Sequence, residues 1–177
     1  ARPDHTYLAG PLRLGVIPTI APYLLPAVLA TLHSEAPELQ LQIHEDFTAR
    51  LLDALRTGAM DAVIVALPNH VSGLVEVPMY DEQFLLAVPK GHALARRRTV
   101  PVESLHDAEL LLLDDGHCLR DQALDVCTRA GVTPVAGGAR AASLSTVVQL
   151  VAAGMGVTLL PETAVPMPPA TSCHSAR

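Results

Sequence analysis

The chain has 177 residues, 50% of them hydrophobic, and its 18 acidic and 12 basic residues give it a formal net charge of −6. This length is sufficient for a hydrophobic core in one domain or two small ones, and the acidic balance argues against a nucleic-acid groove in this part of the protein. The apolar runs are far shorter than the roughly 18 residues of a membrane span, and the N-terminus lacks an apolar signal core. These features predict a soluble, cytoplasmic protein with no membrane partner.

The first half of the chain predicts strands that alternate with helices. Strands are expected at residues 12–17, 39–44, 62–66, 74–77 and 84–88. The apolar stretch from Pro22 to Ala36 predicts one or two helix starts, and residues 48–57 predict an amphipathic helix that ends at Gly58. This order of elements predicts a parallel sheet with right-handed crossovers.

The same pattern begins again after Pro89, which predicts a second α/β lobe. A helical turn is expected at residues 102–105, strands at 110–113, 139–142 and 157–160, and helices at 118–130 and 145–153. The predicted divisions are a linker remnant or disordered segment (1–10), a first lobe (11–88), a second lobe (89–166) and an irregular tail (167–177) in which Cys173 is incidental. Ligands are expected in the crevice at the carboxyl ends of the strands.

Residues 110–127, with the sequence LLLLDDGHCLRDQALDVC, place a cysteine where a strand passes into a helix. Amides at a helix start point outward with the positive end of the peptide dipoles, which favours a thiolate on Cys118. Asp114 and Asp115 oppose this effect, whereas His117 and Arg120 support it when they are charged. Cys118 is therefore a candidate reactive thiol, although the sequence leaves this balance of charges open.

The spacing between Cys118 and Cys127 has two interpretations. Nine residues of continuous helix rise by about 13.5 Å and turn through roughly 900°, which places the thiols on opposite sides. A disulfide needs Cα atoms about 4.4–6.8 Å apart. Either the segment is not one helix, or the pair bonds only by unwinding its own segment, as in a redox switch. The alternative is that the two thiols are unrelated, one exposed and one in the core. Cytosolic thiols are normally kept reduced, which argues against a permanent structural disulfide and admits a transient one.

The chain resembles the effector-binding domain of LysR-type transcription regulators over about residues 10–166. Three segments carry the general resemblance: LRLGVIPTIAPYLLP, LLDALRTGAMDAVIVA and SLSTVVQLVAAGMGVTLLP. The segment GHCLRDQALDVC is a long, near-literal match to the hydrogen-peroxide-sensing members of that family. The resemblance implies an α/β fold of two Rossmann-like lobes, of the periplasmic-binding-protein type, joined by a hinge.

The resemblance also implies a role for both cysteines of this segment. Cys118 matches the peroxidatic cysteine, which attacks hydrogen peroxide and becomes a sulfenic acid. Cys127 matches the resolving cysteine, which condenses with it to an intramolecular disulfide. In these regulators the disulfide switches the conformation and the DNA binding of the full-length protein. The resemblance therefore favours the switch over two unrelated thiols.

Four further residues match positions around the peroxidatic thiol. Thr19 and Thr48 match threonines whose hydroxyls hold peroxide and water, His117 matches a pocket histidine, and Asp121 matches a helix residue of the local hydrogen-bond network. A thiolate that attacks the O–O bond needs donors and acceptors around it, and hydroxyls supply both. The resemblance thus predicts a peroxide-binding site from these four residues.

Each candidate also has a purely structural interpretation. Thr19 and Thr48 are explained equally well as helix-start caps, and His117 as an exposed turn residue. Capping also explains three hydroxyl residues at the start of the helix expected at 145–153, namely Ser143, Ser145 and Thr146. The histidines and cysteines show no metal-ligand spacing, so no metal and no cofactor are expected.

The expected partners follow from the resemblance as well. DNA would be bound only through an N-terminal winged helix-turn-helix and linker helix, which nothing before Leu12 resembles. The segment from Met167 does not resemble the usual return to the first lobe, and Gly137-Gly138 stand where some peroxide sensors carry a histidine. A homo-oligomer, either a dimer or a tetramer, is expected, with thioredoxin or glutaredoxin as the reductant.

A regulatory sensor rather than an enzyme is the leading hypothesis from the sequence. One alternative is a LysR-type or solute-binding domain for a small organic effector, in which the cysteines are incidental. The other is a thiol peroxidase, which would turn over peroxide continuously instead of consuming one equivalent per cycle.

Overall fold

A computed structural model describes residues 9–133, 135–165 and 174–176, and for 136–138 and 174–176 it describes the backbone. The chain divides into two compact units, Ala1–Met79 and Tyr80–Arg177. This division lies ahead of the boundary predicted near Pro89, because the strand that precedes Pro89 pairs with strands of the second unit. Among the helices of the described ranges, none has the length and apolar character needed to cross a membrane.

The first unit is a parallel three-stranded sheet with two helices. Its elements are β1 (Gly10–Val16), α1 (Ala21–Glu35), β2 (Leu39–Glu45), α2 (Thr48–Arg56) and β3 (Ala62–Ile64). The strand order is β2-β1-β3, and both pairings are parallel. The predicted parallel sheet of the first half is therefore confirmed, with small shifts in the element bounds.

The apolar stretch after β1 forms one helix rather than two. Pro22 lies in the first turn of α1, where its missing N–H costs nothing, and Pro26 lies inside the helix. Leu25 of this helix packs with Leu14 and Val16 of β1 in the core of the unit. The helix thus covers the central strand, and its packing compensates for the internal proline.

The prediction of a strand at residues 74–77 is wrong. Val75 and Val77 are 89% and 71% exposed, and the segment between β3 and the next strand is irregular. The carboxylate of Glu76 accepts hydrogen bonds from the backbone N–H groups of Asn69 (3.1 Å) and His70 (2.7 Å). Alternating apolar residues form a strand only when a neighbouring strand takes up their backbone groups, and this segment turns back on itself instead.

The second unit has six strands and two helices among the described residues. They are β4 (Phe84–Ala87), β5 (Thr99–Val100), β6 (Glu109–Leu113), α3 (Cys118–Arg129), β7 (Val135–Ala141), α4 (Leu144–Ala152), β8 (Thr158–Pro161) and β9 (His174–Ala176). Short 3₁₀ turns occupy Ala93–Arg96, Val102–Leu105 and Glu162–Ala164. The strands predicted at 84–88, 110–113, 139–142 and 157–160 are confirmed, as are both predicted helices and the turn at 102–105.

Two sheets organise this unit. One has the order β5-β9-β4-β8, in which β4 runs antiparallel to both β8 and β9. The other pairs β6 with β7 in parallel. Residues from both helical and strand elements form its core, including Leu86, Val100, Leu105, Leu110, Ala123, Cys127, Val132, Val157 and Leu159.

The prediction of an irregular tail over 167–177 is wrong at residues 174–176. His174–Ala176 forms β9, which pairs with β4 on one side and with β5 on the other. A three-residue strand of this kind has no hydrophobic periodicity of its own, and its backbone hydrogen bonds to two neighbours determine its conformation. Cys173, predicted to be incidental, lies outside the described residues.

Candidate redox site at the start of helix α3

The start of α3 is positioned by a buried strand and a glycine turn. Leu110, Leu111 and Leu113 of β6 are 1%, 0% and 3% exposed, which fixes this strand in the core. The chain then turns at Gly116, whose φ of 100° is readily adopted only by glycine. The N–H of Asp114 donates a hydrogen bond to the carbonyl oxygen of Ala141 (N···O 3.0 Å), and this bond joins the carboxyl ends of β6 and β7. The helix that follows therefore begins at a well-defined edge of the β6–β7 sheet.

The two cysteines occupy opposite ends of one continuous helix. Cys118 is the first residue of α3 and is half-buried, whereas Cys127 lies near its other end and is 0% exposed. Both are thiols rather than a disulfide. Because the helix is unbroken, the thiols are separated by a rise of about 13.5 Å and lie on opposite sides. In this conformation they are far beyond the roughly 4.4–6.8 Å between Cα atoms that a disulfide requires.

The surroundings of Cys127 differ from those of Cys118. Cys127 belongs to the core of the second unit together with Leu105, Ala123 and Val132. Burial raises the pKa of the Cys127 thiol above its ordinary value. In the intact helix this residue is therefore a protonated, inaccessible thiol, and it becomes a useful nucleophile only after the segment opens.

His117 is buried, so the interpretation as an exposed turn residue is wrong. It precedes α3 directly and is 5% exposed. Burial lowers the pKa of the imidazole below its usual 6.5, while a hydrogen bond with the backbone of Ala142 and the charge of Asp114 act in the opposite direction. Burial therefore favours the neutral form of His117 and reduces the positive charge that this residue can offer to a thiolate on Cys118. A neutral imidazole next to the thiol still offers one donor and one acceptor.

The charges around Cys118 are partly neutralised by each other. The guanidinium of Arg120 lies 3.0 Å from a carboxylate oxygen of Asp115 and 3.4 Å from one of Asp121. Asp115 also pairs with Arg140 at 3.2 Å. The opposition expected from Asp115 is thus offset by two arginines, and the first-turn amides of α3 favour a thiolate.

The start of α3 lacks the side-chain cap that α4 possesses. No side chain at the N-cap of α3 accepts a hydrogen bond from the first turn. In α4, by contrast, Ser143 is the N-cap and its hydroxyl accepts from the N–H of Thr146 at 3.3 Å. The hydroxyls of Ser145 and Thr146 lie 2.9 Å and 3.0 Å from that of Ser143. The capping role expected for this group is therefore confirmed at Ser143, and α3 begins without an equivalent.

Thr19 and Thr48 lie in the first unit, and neither is a helix cap. Thr19 is 4% exposed and precedes Ile20, which is the N-cap of α1. Thr48 is the first residue of α2, behind the N-cap Phe47, and no side chain caps either helix. Within the described ranges the buried hydroxyl of Thr48 has no hydrogen-bond partner. The capping interpretation is wrong for both threonines, and their role in binding peroxide stays a prediction.

The structure brings together part of the predicted site. His117, Cys118 and Asp121 lie within the first turn of α3 or directly before it, while Cys127 is at the other end of the helix. Sequence reasoning missed the ion pair between Arg140 and Asp115. The two residues are 25 positions apart in the chain, so no local pattern indicates that they meet. In the portion of the chain that is described, no group of three His, Cys, Asp or Glu residues is placed to hold a metal ion.

Comparison with known proteins identifies the class. Residues 5–172 match the LysR substrate binding domain family, and the chain belongs to that family. Its fold is the α/β, periplasmic-binding-protein-like fold of that domain.

Within the family the similarity is to OxyR. The chain is 56% identical over 156 residues to a probable hydrogen peroxide-inducible genes activator of Mycobacterium avium. The matched region covers 88% of this chain and 50% of the relative. The chain is also 46% identical over 159 residues to the DNA-binding transcriptional dual regulator OxyR of Escherichia coli K12, covering 90% and 52%. The chain thus spans about half the length of the curated relatives it matches.

Solved OxyR structures agree with this similarity. A cysteine mutant of Corynebacterium glutamicum OxyR superposes with a TM-score of 0.89 at 44% identity, covering 96% of this chain and 54% of that chain. An OxyR structure described as reduced matches with a TM-score of 0.83 at 42% identity, covering 96% of this chain and 79% of that chain. An OxyR structure described as oxidised matches with a TM-score of 0.80 at 44% identity, covering 96% of this chain and 80% of that chain.

Proposed function

We propose that this chain is the regulatory part of a hydrogen-peroxide-responsive LysR-type transcription regulator, with Cys118 as the sensing thiol and Cys127 as the resolving thiol. The observation that carries the proposal is the placement of both cysteines on one intact helix, one at its uncapped start and the other in the core. This arrangement keeps the thiols apart until the helix opens.

The first step is oxidation of Cys118. Its thiolate attacks one oxygen of hydrogen peroxide, the O–O bond breaks, and the second oxygen leaves as hydroxide, which takes a proton to become water. The sulfur is oxidised to a sulfenic acid and the peroxide is reduced. The outward-pointing amides at the start of α3 favour the thiolate that this step needs.

The second step joins the two cysteines. The sulfur of Cys127 attacks the sulfur of the sulfenic acid, the S–O bond breaks, and the departing hydroxide leaves as water with the proton of the Cys127 thiol. Because the intact helix separates the two cysteines by a rise of about 13.5 Å and places them on opposite sides, this step requires at least part of residues 118–127 to unwind. The chemical signal is thereby converted into a change of fold.

Four residues are proposed to assist the first step. Thr19, Thr48, His117 and Asp121 supply donors and acceptors to peroxide and water. Among the described residues, the buried hydroxyl of Thr48 has no hydrogen-bond partner, which supports placing Thr48 in the peroxide-binding site. We expect Thr48→Val to slow sulfenic acid formation at Cys118, whereas Thr57→Val, at the other end of the same helix, should not. Equal rates in the two variants would remove Thr48 from the site.

The consequences for the full-length protein are part of the same proposal. The oxidised fold would alter how a homodimer or tetramer binds DNA through a winged helix-turn-helix outside this chain. Thioredoxin or glutaredoxin would then reduce the disulfide and reset the switch. One relative is described as a DNA-binding transcriptional dual regulator, which supports this assignment. The protein would act as a cytoplasmic sensor rather than as an enzyme.

A peroxide pulse followed by a sulfenic-acid probe and mass spectrometry tests the proposal. All variants carry Cys173→Ser so that only two thiols react. The parent should show brief labelling at Cys118 and then a disulfide, Cys127→Ser should retain the label, and Cys118→Ser should show neither product. Equal labelling of the parent and Cys118→Ser would contradict the assignment of Cys118 as the sensing thiol. Continuous peroxide consumption with thioredoxin, instead of one equivalent per cycle, would support a thiol peroxidase.

A further inference from the structure

Asp115 holds two arginines from different elements at the start of α3. One of its carboxylate oxygens lies 3.0 Å from Nη1 of Arg120, and the other lies 3.2 Å from Nη1 of Arg140. Asp115 belongs to the turn after β6, Arg120 to the first turn of α3 and Arg140 to β7. A single carboxylate therefore ties the helix start to the turn before it and to the neighbouring strand. We call these three residues the Asp115 clasp.

Arg120 occupies an unfavourable position without this clasp. It is the third residue of α3, and a cation near the start of a helix is repelled by the positive end of the helix dipole. Its side chain is only 20% exposed, and its Nε is buried with no hydrogen-bond partner among the described residues. Burying an N–H group without a partner is also unfavourable. The attraction of Asp115, with a weaker contact to Asp121, offsets both effects.

We infer that Asp115 is a positioning residue for the redox switch: it anchors Arg120 and thereby the first turn of α3, and so sets how fast a sulfenic acid on Cys118 is resolved by Cys127. This inference rests on the proposed function. Opening the first turn must move Arg120 away from Asp115, because Arg120 and Cys118 share that turn. The clasp therefore slows the second step and leaves its chemistry unchanged.

The sulfenic acid lifetime measures this step separately from the first. It is followed as the loss of Cys118 labelling by a sulfenic-acid reagent added at increasing times after a short peroxide pulse, with the appearance of the disulfide as the paired signal. Asp115→Asn keeps the shape of the side chain and removes both ion pairs, so we expect the lifetime to shorten by about threefold to tenfold. Arg140→Gln removes one of the two pairs and should shorten it by a smaller factor.

Two controls distinguish positioning from a general loss of stability. Asp125→Asn breaks the pair with Arg129 near the other end of the same helix and should leave the lifetime unchanged. Raising the salt concentration should shorten the lifetime in the parent, because exposed ion pairs are screened, and should have a smaller effect in Asp115→Asn, which keeps only the weaker pair of Arg120 with Asp121. Asp115→Glu restores the charge and should recover part of the parental lifetime.

The outcomes separate this inference from the proposal on which it rests. If the parent forms a sulfenic acid and a disulfide but Asp115→Asn has the same lifetime and salt response as Asp125→Asn, the inference is overturned and the proposed function stands. If the parent forms neither product, the proposed function fails and the inference fails with it. A shorter lifetime that depends less on salt than the parental one, seen in Asp115→Asn and in part in Arg140→Gln but not in Asp125→Asn, would support the clasp.

Discussion

The two helices of the second unit, α3 and α4, follow neighbouring parallel strands and begin at the same edge of the β6–β7 sheet. Each buries three residues, which are Leu119, Ala123 and Cys127 in α3 and Leu144, Val147 and Val151 in α4. Their first turns differ. α4 begins with a serine cap, whereas α3 begins with a buried histidine, a cysteine and an arginine and has no side-chain cap.

This difference bears on the proposed unwinding of α3. Without a side-chain cap, the first turn of α3 lacks a stabilising contact that α4 has, which makes this turn easier to open. The far end of α3 is firmly held, since the carbonyl of Cys127 accepts from the N–H groups of Ala130 (3.1 Å) and Val132 (2.9 Å). We therefore expect α3 to open from its start, where Cys118 lies.

The largest expected effect comes from the leucines that each helix buries in its first turn. Leu119 and Leu144 are both 5% exposed, so Leu119→Ala and Leu144→Ala should each lower the free energy of unfolding by about 2–5 kcal/mol. Urea denaturation of the reduced protein measures this. Leu119→Ala should also shorten the sulfenic acid lifetime, and by more than Leu144→Ala, because Leu119 belongs to α3 whereas Leu144 only lines a cavity next to it. An equal shortening in Leu144→Ala would show that general instability controls the switch.

Removing the cap of α4 should have a smaller effect. Ser143→Ala leaves the N–H of Thr146 without its acceptor and should cost about 0.5–2 kcal/mol in the free energy of unfolding. Ser145→Ala is the matched control, since its hydroxyl does not cap the helix. The sulfenic acid lifetime should be unchanged in both. A faster disulfide step in Ser143→Ala would contradict the assignment of unwinding to α3.

The parts of this unit that the sequence predicts are those that depend on interactions between residues close together in the chain. The strand before Cys118 and the helix through Cys127 were predictable because apolar periodicity and a glycine turn are local signals. β9 and the pairing of Arg140 with Asp115 were not, because both depend on residues distant in the sequence. In the first unit, Val75 and Val77 show the converse error, because a strand-like local pattern there has no neighbouring strand and remains exposed.

The burial of Cys127 predicts a loss of stability in alkali. Burial raises the pKa of its thiol above the ordinary value of 9.0, so the unfolded chain loses this proton at lower pH than the folded one. The contribution of Cys127 to stability is complete below pH 9.0 and is lost as the pH rises through the folded pKa. Urea titrations of the reduced protein should show this decline, and Cys127→Ser should lack it. Identical profiles would contradict the burial of this thiol.

The burial of His117 predicts a weaker loss on the acid side. Burial lowers its pKa below 6.5, so as the pH falls the unfolded chain takes up this proton first. The stability of the reduced protein should therefore be complete above pH 6.5 and decline below it. His117→Gln should reduce this decline. A decline that persists fully in His117→Gln would show that other groups cause it.

Hydrogen exchange of the amides of α3 and α4, before and after peroxide, tests the central claim most directly. In the reduced protein both helices should be protected. After oxidation, the amides of residues 118–127 should lose protection, beginning with the first turn, while those of α4 keep theirs. A Cys118–Cys127 disulfide that forms with the protection of α3 unchanged would contradict the account, because an intact helix cannot bring these two thiols together.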